Sequence, residues 1–190
     1  MCIERARKIK VILFDVDGVL TDGTIWVQPV TDPQNGGALR ATEPKGFHAH
    51  DGIGFSLAKI AGLKVGVITK RNSETVAIRA RDLKLDFCYQ GQDNKVAALQ
   101  AICREAGVSQ DEVCYVGDDI VDLPVLRRVG LAVTVPNARA IMKAEAHYVT
   151  DCRGGEGAAR DTIEYVLRAQ GVLDDTLSTY IHEPIRTLVR

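Results

Sequence analysis

Closely spaced cysteines are missing from this sequence. Its five cysteines stand at irregular intervals and form no Cys-x-x-Cys pair, on which structural zinc sites and thioredoxin-like redox motifs depend. We therefore expect free thiols in a reducing compartment, not a disulfide framework or a thiolate metal site. Aromatic residues make up only 5% of the chain, and 24 basic residues face 25 acidic ones, for a net charge of -1. This composition disfavours a base-stacking platform and a general nucleic-acid binder, which usually carries a basic excess.

Long hydrophobic runs are absent as well. The apolar run that starts at Val11 is broken by Asp15 and Asp17, and no segment approaches the roughly 20 apolar residues that span a membrane. No signal peptide is recognisable, so the cytoplasm is the expected location. The 190 residues suit a single domain, which at this size buries roughly 70% of its unfolded surface and needs no disulfide or metal in order to fold.

Strand and helix patterns alternate along the chain. Apolar residues at helical spacing predict helices around residues 53–60, 96–106 and 159–167. Short apolar runs predict strands between these helices, at residues 9–14, 64–68, 113–116, 131–135 and 148–149. Because this order requires crossover connections, we predict an α/β fold with a doubly wound, mostly parallel, Rossmann-like sheet.

One segment interrupts the alternation. Residues 24–27 and 39–47 flank a stretch rich in Pro, Gly and Asn at 29–37, which predicts a β-hairpin with a loose tip inserted after the first strand. The insertion, at about 24–47, is too short to be a domain. We therefore predict a single domain over residues 1–175, followed by a C-terminal tail over residues 176–190.

Three predicted strands end beside polar side chains. Asp15 and Asp17 follow the first strand, Thr69 follows the second, and Asp118 follows the strand at 113–116. In a parallel α/β sheet the ligand site lies outside the carboxyl ends of the strands, so these groups should converge. Between them Lys95 stands in the first turn of a helix, where a cation opposes the helix dipole, which indicates that it serves a ligand.

The converging groups suit phosphoryl transfer. Taken singly, the Asp-x-Asp pair could be a turn or a cap, but several carboxylates together are tolerable only around a hard cation, which favours Mg²⁺. Asp15 is then a candidate nucleophile that forms an aspartyl phosphate, and Asp17 a candidate general acid and base. Thr69 and Lys95 offer a hydroxyl and a positive charge to the phosphoryl oxygens. We expect these four residues to be catalytic.

The same motifs resemble those of the haloacid dehalogenase superfamily of phosphohydrolases: DVDGVLTDG from Asp15, Thr69, Lys95, and Gly-Asp-Asp from Gly117. Over roughly residues 8–175 the chain is similar, more specifically, to the 3-deoxy-D-manno-octulosonate 8-phosphate phosphatases. That similarity is carried by DGIG from Asp51, YQGQDNK from Tyr89, VGDDIVDLPVL from Val116, GGEGAARDTI from Gly154 and AQG from Ala169.

The resemblance implies a haloacid dehalogenase-like phosphatase of the minimal-cap type. Its hairpin would assemble with those of neighbouring subunits into a homotetramer, in which the adjacent subunit covers the active site. Mg²⁺ would be bound by the Asp15 side chain, the Asp17 main-chain carbonyl and Asp118. The expected substrate-binding residues are Asp17, His50, Lys70, Arg71, Arg79 and Lys95.

Two positions depart from the family pattern and leave the substrate open. Lys70 stands where a glycine is usual, and His50 stands where an arginine is usual. The two changes could preserve the attraction for the carboxylate of an eight-carbon ulosonate phosphate, or shift the preference to a nine-carbon one. Lys70 could equally be an ordinary surface residue, and His50 a structural or solvated one.

Other functions remain alternatives at this point. The same chemistry could act on another sugar phosphate or on a nucleotide, and a non-catalytic oligomerising module could retain the fold. A receiver-type phospho-switch also combines acidic residues with a Thr and a Lys, but its phosphoacceptor follows a middle strand. Here the Asp-x-Asp pair follows the first strand, at Asp15 and Asp17.

Overall fold

A short strand of four buried apolar residues, Val11–Phe14, lies at the centre of the fold. The computed structural model describes residues 2–182. Its strands, in chain order, are β1 (Val11–Phe14), β2 (Gln28–Asp32), β3 (Ala38–Thr42), β4 (Lys64–Ile68), β5 (Phe87–Tyr89), β6 (Val113–Val116), β7 (Leu131–Thr134) and β8 (Tyr148–Val149). Six of them form a parallel sheet in the order β5-β4-β1-β6-β7-β8, and β2 and β3 form a separate antiparallel pair. The predicted α/β fold is confirmed.

Helices connect the strands and flank the sheet. They are α1 (Cys2–Ala6), α2 (Ala49–Ile60), α3 (Glu74–Asp82), α4 (Lys95–Ala106), α5 (Leu123–Leu126), α6 (Ala140–Glu145), α7 (Ala158–Gln170) and α8 (Leu173–His182). Helix α2 packs against α7 and α8, whereas α5 packs against α4 and α6. Within residues 2–182, no helix combines the length and apolar character that crossing a bilayer would require.

The hairpin is present, but its strands are displaced from the predicted ones. Residues 24–27 form no strand, and β2 instead occupies the first part of the predicted tip. The turn is confined to residues 33–37, because the Asp32 carboxylate caps it by accepting the Gln34 N–H at 3.0 Å, while Gly36 and Gly37 adopt positive φ. Pro29 fits a strand here because a two-stranded sheet consists entirely of edges.

Two further segments differ from the sequence-based expectation. Strand β5 was not predicted, because three residues are too few to show an alternation. At the other end, the predicted boundary at Asp175 lies inside α8, which continues to His182 and packs against the core through Leu177 and Tyr180. Residues 183–190 of the predicted tail lie outside the described residues.

The strand order brings the predicted site residues to one edge of the sheet. Phe14, the last residue of β1, is in register with Val67 of β4 and with Val116 of β6. The Asp15 N–H continues this ladder by donating to the Val116 carbonyl at 2.9 Å. The chain therefore leaves β4, β1 and β6 side by side, at the point where a doubly wound sheet opens a crevice.

Candidate active site

A cleft of about 360 Å³ lies at the carboxyl edge of these three strands. It is lined by most of the residues that the sequence singled out: Asp15, Asp17, Thr69, Lys70, Arg71, Lys95, Asp118 and Asp119. Thr69 is held there by its backbone, since its N–H donates to the Tyr89 carbonyl and its own carbonyl accepts the Gln92 N–H. The structure therefore brings the predicted strand ends together at one cleft.

The inner wall of the cleft is a buried charge cluster around Lys95. Only 3% of the Lys95 side chain is exposed, and its Nζ lies 2.8 Å from Asp15 Oδ1 and 2.6 Å from Asp122 Oδ1. Burial alone would lower the pKa of this lysine, but the two carboxylates outweigh burial and raise it. Lys95 is therefore held as a cation beside the Asp15 carboxylate.

Asp122 holds this cluster together. Its Oδ1 accepts hydrogen bonds from Lys95 and from the hydroxyl of Tyr115, the latter at 2.6 Å. Its Oδ2 accepts the N–H of Asp118 at 3.2 Å and, at 3.5 Å, the N–H of Asp119. Because its Oδ2 accepts two backbone N–H groups, Asp122 holds the loop that carries Asp118.

Carboxylate oxygens of Asp15, Asp118 and Asp122 lie within 4.8 Å of one another, as a metal site requires. Burial, followed by the charge of Asp122, raises the pKa of both Asp15 and Asp118 to about 7, which marks an excess of buried negative charge. A hard divalent cation with oxygen ligands would relieve this excess, so the donor set fits Mg²⁺. Asp15 and Asp118 would supply the side-chain ligands, and the Asp17 main-chain carbonyl stays a predicted ligand.

Gly18 makes room for this carboxylate pair. It adopts a positive φ of 89°, and a Cβ at this position would lie 2.2 Å from Asp118 Oδ2. Gly154 is similarly constrained from the other side, since its Cβ would lie 1.8 Å from the Gly18 carbonyl oxygen. The glycines of the Asp-Gly and Gly-Gly motifs therefore let three loops meet beneath the cleft.

The chain that returns from the hairpin contacts two residues that line the cleft, Asp17 and Arg71. Lys45 donates a hydrogen bond to Asp17 Oδ1 at 2.5 Å, and Glu43 forms a two-point ion pair with the guanidinium of Arg71. Arg71 Nε also lies 3.9 Å from Asp17 Oδ2. The general-acid candidate thus sits between two cations, and the Arg71 fork is filled by a carboxylate of the same chain.

Three predicted substrate-binding residues have mixed positions. Lys70 lines the cleft with 61% of its side chain exposed, 3.5 Å from the carboxylate of Asp93. Arg79, in α3, does not line the cleft, and its guanidinium lies over the Phe47 ring at 5.8 Å. His50 is also away from the cleft, packed edge-on against His48. Within one chain, neither Arg79 nor His50 lines the cleft, so their substrate-binding roles stay predictions.

Sequence reasoning missed two residues of the site. Tyr115 is buried in β6, and its place in an apolar run is typical of a core residue. It directly precedes Val-Gly-Asp-Asp, and a hydroxyl at that place could have indicated a contact with the aspartates of the site. Lys45 comes from the hairpin return, whose path no local pattern fixes. Lys45 contacts Asp17, which belongs to the predicted catalytic set. Tyr115 contacts Asp122, the aspartate that also binds Lys95.

Comparison with known proteins agrees with this geometry. Residues 67–160 match the haloacid dehalogenase-like hydrolase family. The 3-deoxy-D-manno-octulosonate 8-phosphate phosphatase of Escherichia coli strain K12 is 38% identical over 173 residues, which cover 91% of this chain and 87% of that protein. The chain belongs to this phosphatase family.

Solved structures of the 3-deoxy-D-manno-octulosonate 8-phosphate phosphatases have the same fold. The Yersinia pestis enzyme is 35% identical and superposes with a TM-score of 0.82, covering 91% of this chain and 88% of that one. The Moraxella catarrhalis enzyme, in complex with a magnesium ion, a phosphate ion and KDO, is 34% identical with a TM-score of 0.83, covering 94% and 97%. The prediction that the chain is a phosphoric monoester hydrolase is confirmed.

Proposed function

We propose that this protein is a Mg²⁺-dependent phosphatase that hydrolyses 3-deoxy-D-manno-octulosonate 8-phosphate to KDO and phosphate through an aspartyl phosphate on Asp15. The observation that carries the proposal is the 2.8 Å contact between Asp15 and the buried cation of Lys95, at the floor of a cleft that also holds Asp118. Membership of the phosphatase family supports the substrate class. We place the reaction in the cytoplasm.

Asp15 is suited to attack phosphorus. Its carboxylate oxygen forms the new bond to phosphorus as the bond between phosphorus and the sugar oxygen breaks. Burial raises the pKa of Asp15 to about 7, and the adjacent Lys95 opposes this rise, so the lysine favours the ionised form that attack requires. Lys95 and the Thr69 hydroxyl would stabilise charge on the transferred phosphoryl oxygens.

Asp17 completes the reaction as acid and then as base. It gives a proton to the departing sugar oxygen, and it then takes a proton from the water that attacks the phosphoryl group, which releases phosphate and regenerates Asp15. Bound Mg²⁺, held by Asp15 and Asp118, would supply positive charge that offsets the negative charge of the phosphate and carboxylates.

The substrate end of the cleft carries positive charge for a sugar acid. Lys70 and Arg71 both line it, and an ulosonate carboxylate would compete there with Asp93 for Lys70 and with Glu43 for the Arg71 guanidinium. Lys70 is one of the two residues that depart from the family pattern, and a nine-carbon ulosonate phosphate is the second candidate substrate. If Lys70 contacts the sugar acid, replacing it with Gly should change the selectivity between eight- and nine-carbon ulosonate phosphates.

The hairpin supports the proposed homotetramer. Trp26 is 64% exposed and Leu39 is 76% exposed, a large apolar area for the surface of one chain. Trp26 and Val27 also line a hollow of about 540 Å³ at the hairpin base. Association of hairpins would bury this surface and bring the adjacent subunit over a cleft that a single chain leaves open.

A phosphatase panel tests the proposal. Purified protein is assayed with eight- and nine-carbon ulosonate phosphates, hexose phosphates and nucleotides, with Mg²⁺ and after chelation with EDTA. We expect rapid release of phosphate from an ulosonate phosphate and loss of that activity in EDTA. Equal rates on hexose phosphates would refute the substrate class, and folded protein without any phosphatase activity would favour the non-catalytic oligomerising module.

A further inference from the structure

Lys45 is a cation that the catalytic scheme does not use, yet the fold buries it beside Asp17. It lies three residues beyond the end of β3, and only 3% of its side chain is exposed. Its Nζ donates to Asp17 Oδ1 at 2.5 Å, and Glu43 Oε2 lies 4.0 Å away. A buried ammonium is costly unless it is paired, so this lysine depends on Asp17 as its partner.

The backbone around Lys45 is anchored on both sides. Pro44 restricts the chain just before it, and the Glu43 carbonyl accepts a hydrogen bond from the Thr75 hydroxyl at 3.4 Å. Two residues after Lys45, Phe47 packs against the hydrophobic core. The ammonium is therefore held at a defined place relative to the sheet edge that carries Asp17.

We propose that Lys45 is a positioning residue that holds the Asp17 carboxyl group in the orientation from which it gives a proton to the departing oxygen. This inference rests on the proposed function, since it assigns a support to the general acid of that reaction. A general acid acts only when it is aligned with its target. Asp17 lies in the loop after β1, where Lys45 donates to its Oδ1 at 2.5 Å and Arg71 Nε lies 3.9 Å from its Oδ2. The contact from Lys45 is the shorter of the two, and Lys45 is the more buried cation.

The position of Lys45 also distinguishes it from a substrate-binding cation. Lys70 and Arg71 line the cleft, whereas Lys45 does not. Its ammonium is directed at Asp17 and is closed off from solvent. We therefore expect its removal to affect proton transfer more than the binding of an anionic substrate.

The test compares two substrates of similar shape that differ in their need for an acid. Phenyl phosphate has a poor leaving group, whereas p-nitrophenyl phosphate departs without protonation, and neither carries a carboxylate. In Lys45→Met we expect kcat/KM to fall by about 10- to 100-fold for phenyl phosphate and by less than about threefold for p-nitrophenyl phosphate. Lys45→Arg, which keeps a donor and a charge, should recover part of the loss.

A second measurement uses the ulosonate phosphate itself. If Lys45 acts through Asp17, the double variant Lys45→Met with Asp17→Asn should be no slower than Asp17→Asn alone. Lys143→Met is the matched control, because Lys143 is an exposed lysine on α6, outside both the hairpin and the cleft lining, and we expect its activity to be unchanged. Thermal unfolding and molecular mass in solution confirm that each variant keeps its fold and assembly.

The outcomes separate this inference from the proposed function. Equal losses on both aryl phosphates, full additivity in the double variant, or no loss in Lys45→Met would each overturn the role of Lys45. Absence of phosphatase activity in the unaltered protein would instead overturn the proposed function. A raised KM with unchanged kcat in Lys45→Met would assign the lysine to substrate binding.

Discussion

Two regions of this molecule bury a carboxylate, and only one of them faces a cleft. Asp15 lies at the carboxyl edge of the sheet beside Lys95, Asp118 and Asp122. Asp51 lies in the first turn of α2, where its Oδ1 accepts the Arg160 N–H at 3.0 Å in the first turn of α7. Burial is the main cause that raises the pKa of both, to about 7 for Asp15 and about 6 for Asp51.

The partners of the two carboxylates decide what each can do. Asp15 is matched by a full cation and opens onto a cleft of about 360 Å³, so its charge can be used on a ligand. Asp51 is matched by backbone N–H groups at a helix N-terminus, and its Oδ2 is buried without a hydrogen-bond partner. A raised pKa alone therefore does not distinguish the two carboxylates, whereas the buried cation and the cleft beside Asp15 do.

The largest effect that separates the two regions is expected from Asp15→Asn. An amide cannot attack phosphorus, so kcat should fall by about 10³-fold or more. Because burial disfavours the Asp15 charge, the variant should unfold in Mg²⁺-free buffer at no lower temperature than the unaltered protein. Phosphate release and thermal unfolding measure the two effects, and substantial residual turnover would rule out the aspartyl phosphate.

Asp51→Asn should produce the opposite pattern, with activity kept and stability changed. The folded pKa of Asp51, about 6, lies above its ordinary value of 3.8, so the folded state holds the proton more tightly. The stability from this group is present below pH 3.8 and is lost as pH rises toward 6. The asparagine variant escapes that loss, so its advantage in free energy of unfolding should grow by on the order of 2 kcal/mol between pH 4 and pH 7.

Denaturant unfolding across this pH range measures the effect of Asp51→Asn. Asp82→Asn is the control, since Asp82 is exposed in the last turn of α3 and should show no such trend. An advantage that is constant with pH would mean that Asp51 is already neutral or already well solvated. Loss of phosphatase activity in Asp51→Asn would instead show that Asp51 is needed for activity, and the contrast with Asp15 would then be wrong.

The convergence of three strand ends at one cleft could be predicted from the sequence, because buried apolar runs mark where strands end. Asp15, Thr69 and Asp118 follow buried strands, and a parallel sheet aligns such ends whatever the details of packing. Lys45 was not predictable in this way, because its position depends on how the insertion at about 24–47 returns to the domain. The shift of β2 into the predicted tip shows the same limit, since Asp32 and the glycines at 36 and 37 set the turn locally.

Residues inferred from family resemblance behave differently again. Arg79 is expected at the substrate because of the resemblance, and His50 because it stands where the family usually has an arginine. In one chain, however, they lie against Phe47 and His48. Resemblance to a family indicates which residue of the chain should contact the substrate, but it does not indicate which subunit's active site that residue serves. The proposed assembly is the setting in which these two predictions can be tested.

The smallest effect, expected from Tyr115→Phe, tests how far the buried network around Asp15 extends. The hydroxyl donates to Asp122 Oδ1 at 2.6 Å and lies 3.3 Å from Lys95 Nζ. Its loss leaves Asp122 bonded to Lys95, so we expect a fall in kcat of about fivefold, in keeping with roughly 1 kcal/mol for one hydrogen bond. KM should be nearly unchanged because Tyr115 does not line the cleft.

Tyr148→Phe, at a stacked and half-buried ring on β8, is the matched control. If Tyr115→Phe had no effect on kcat while Asp15→Asn abolished it, the functional region would end at Lys95 and Asp122, and Tyr115 would belong with Asp51 among the groups that serve only the fold.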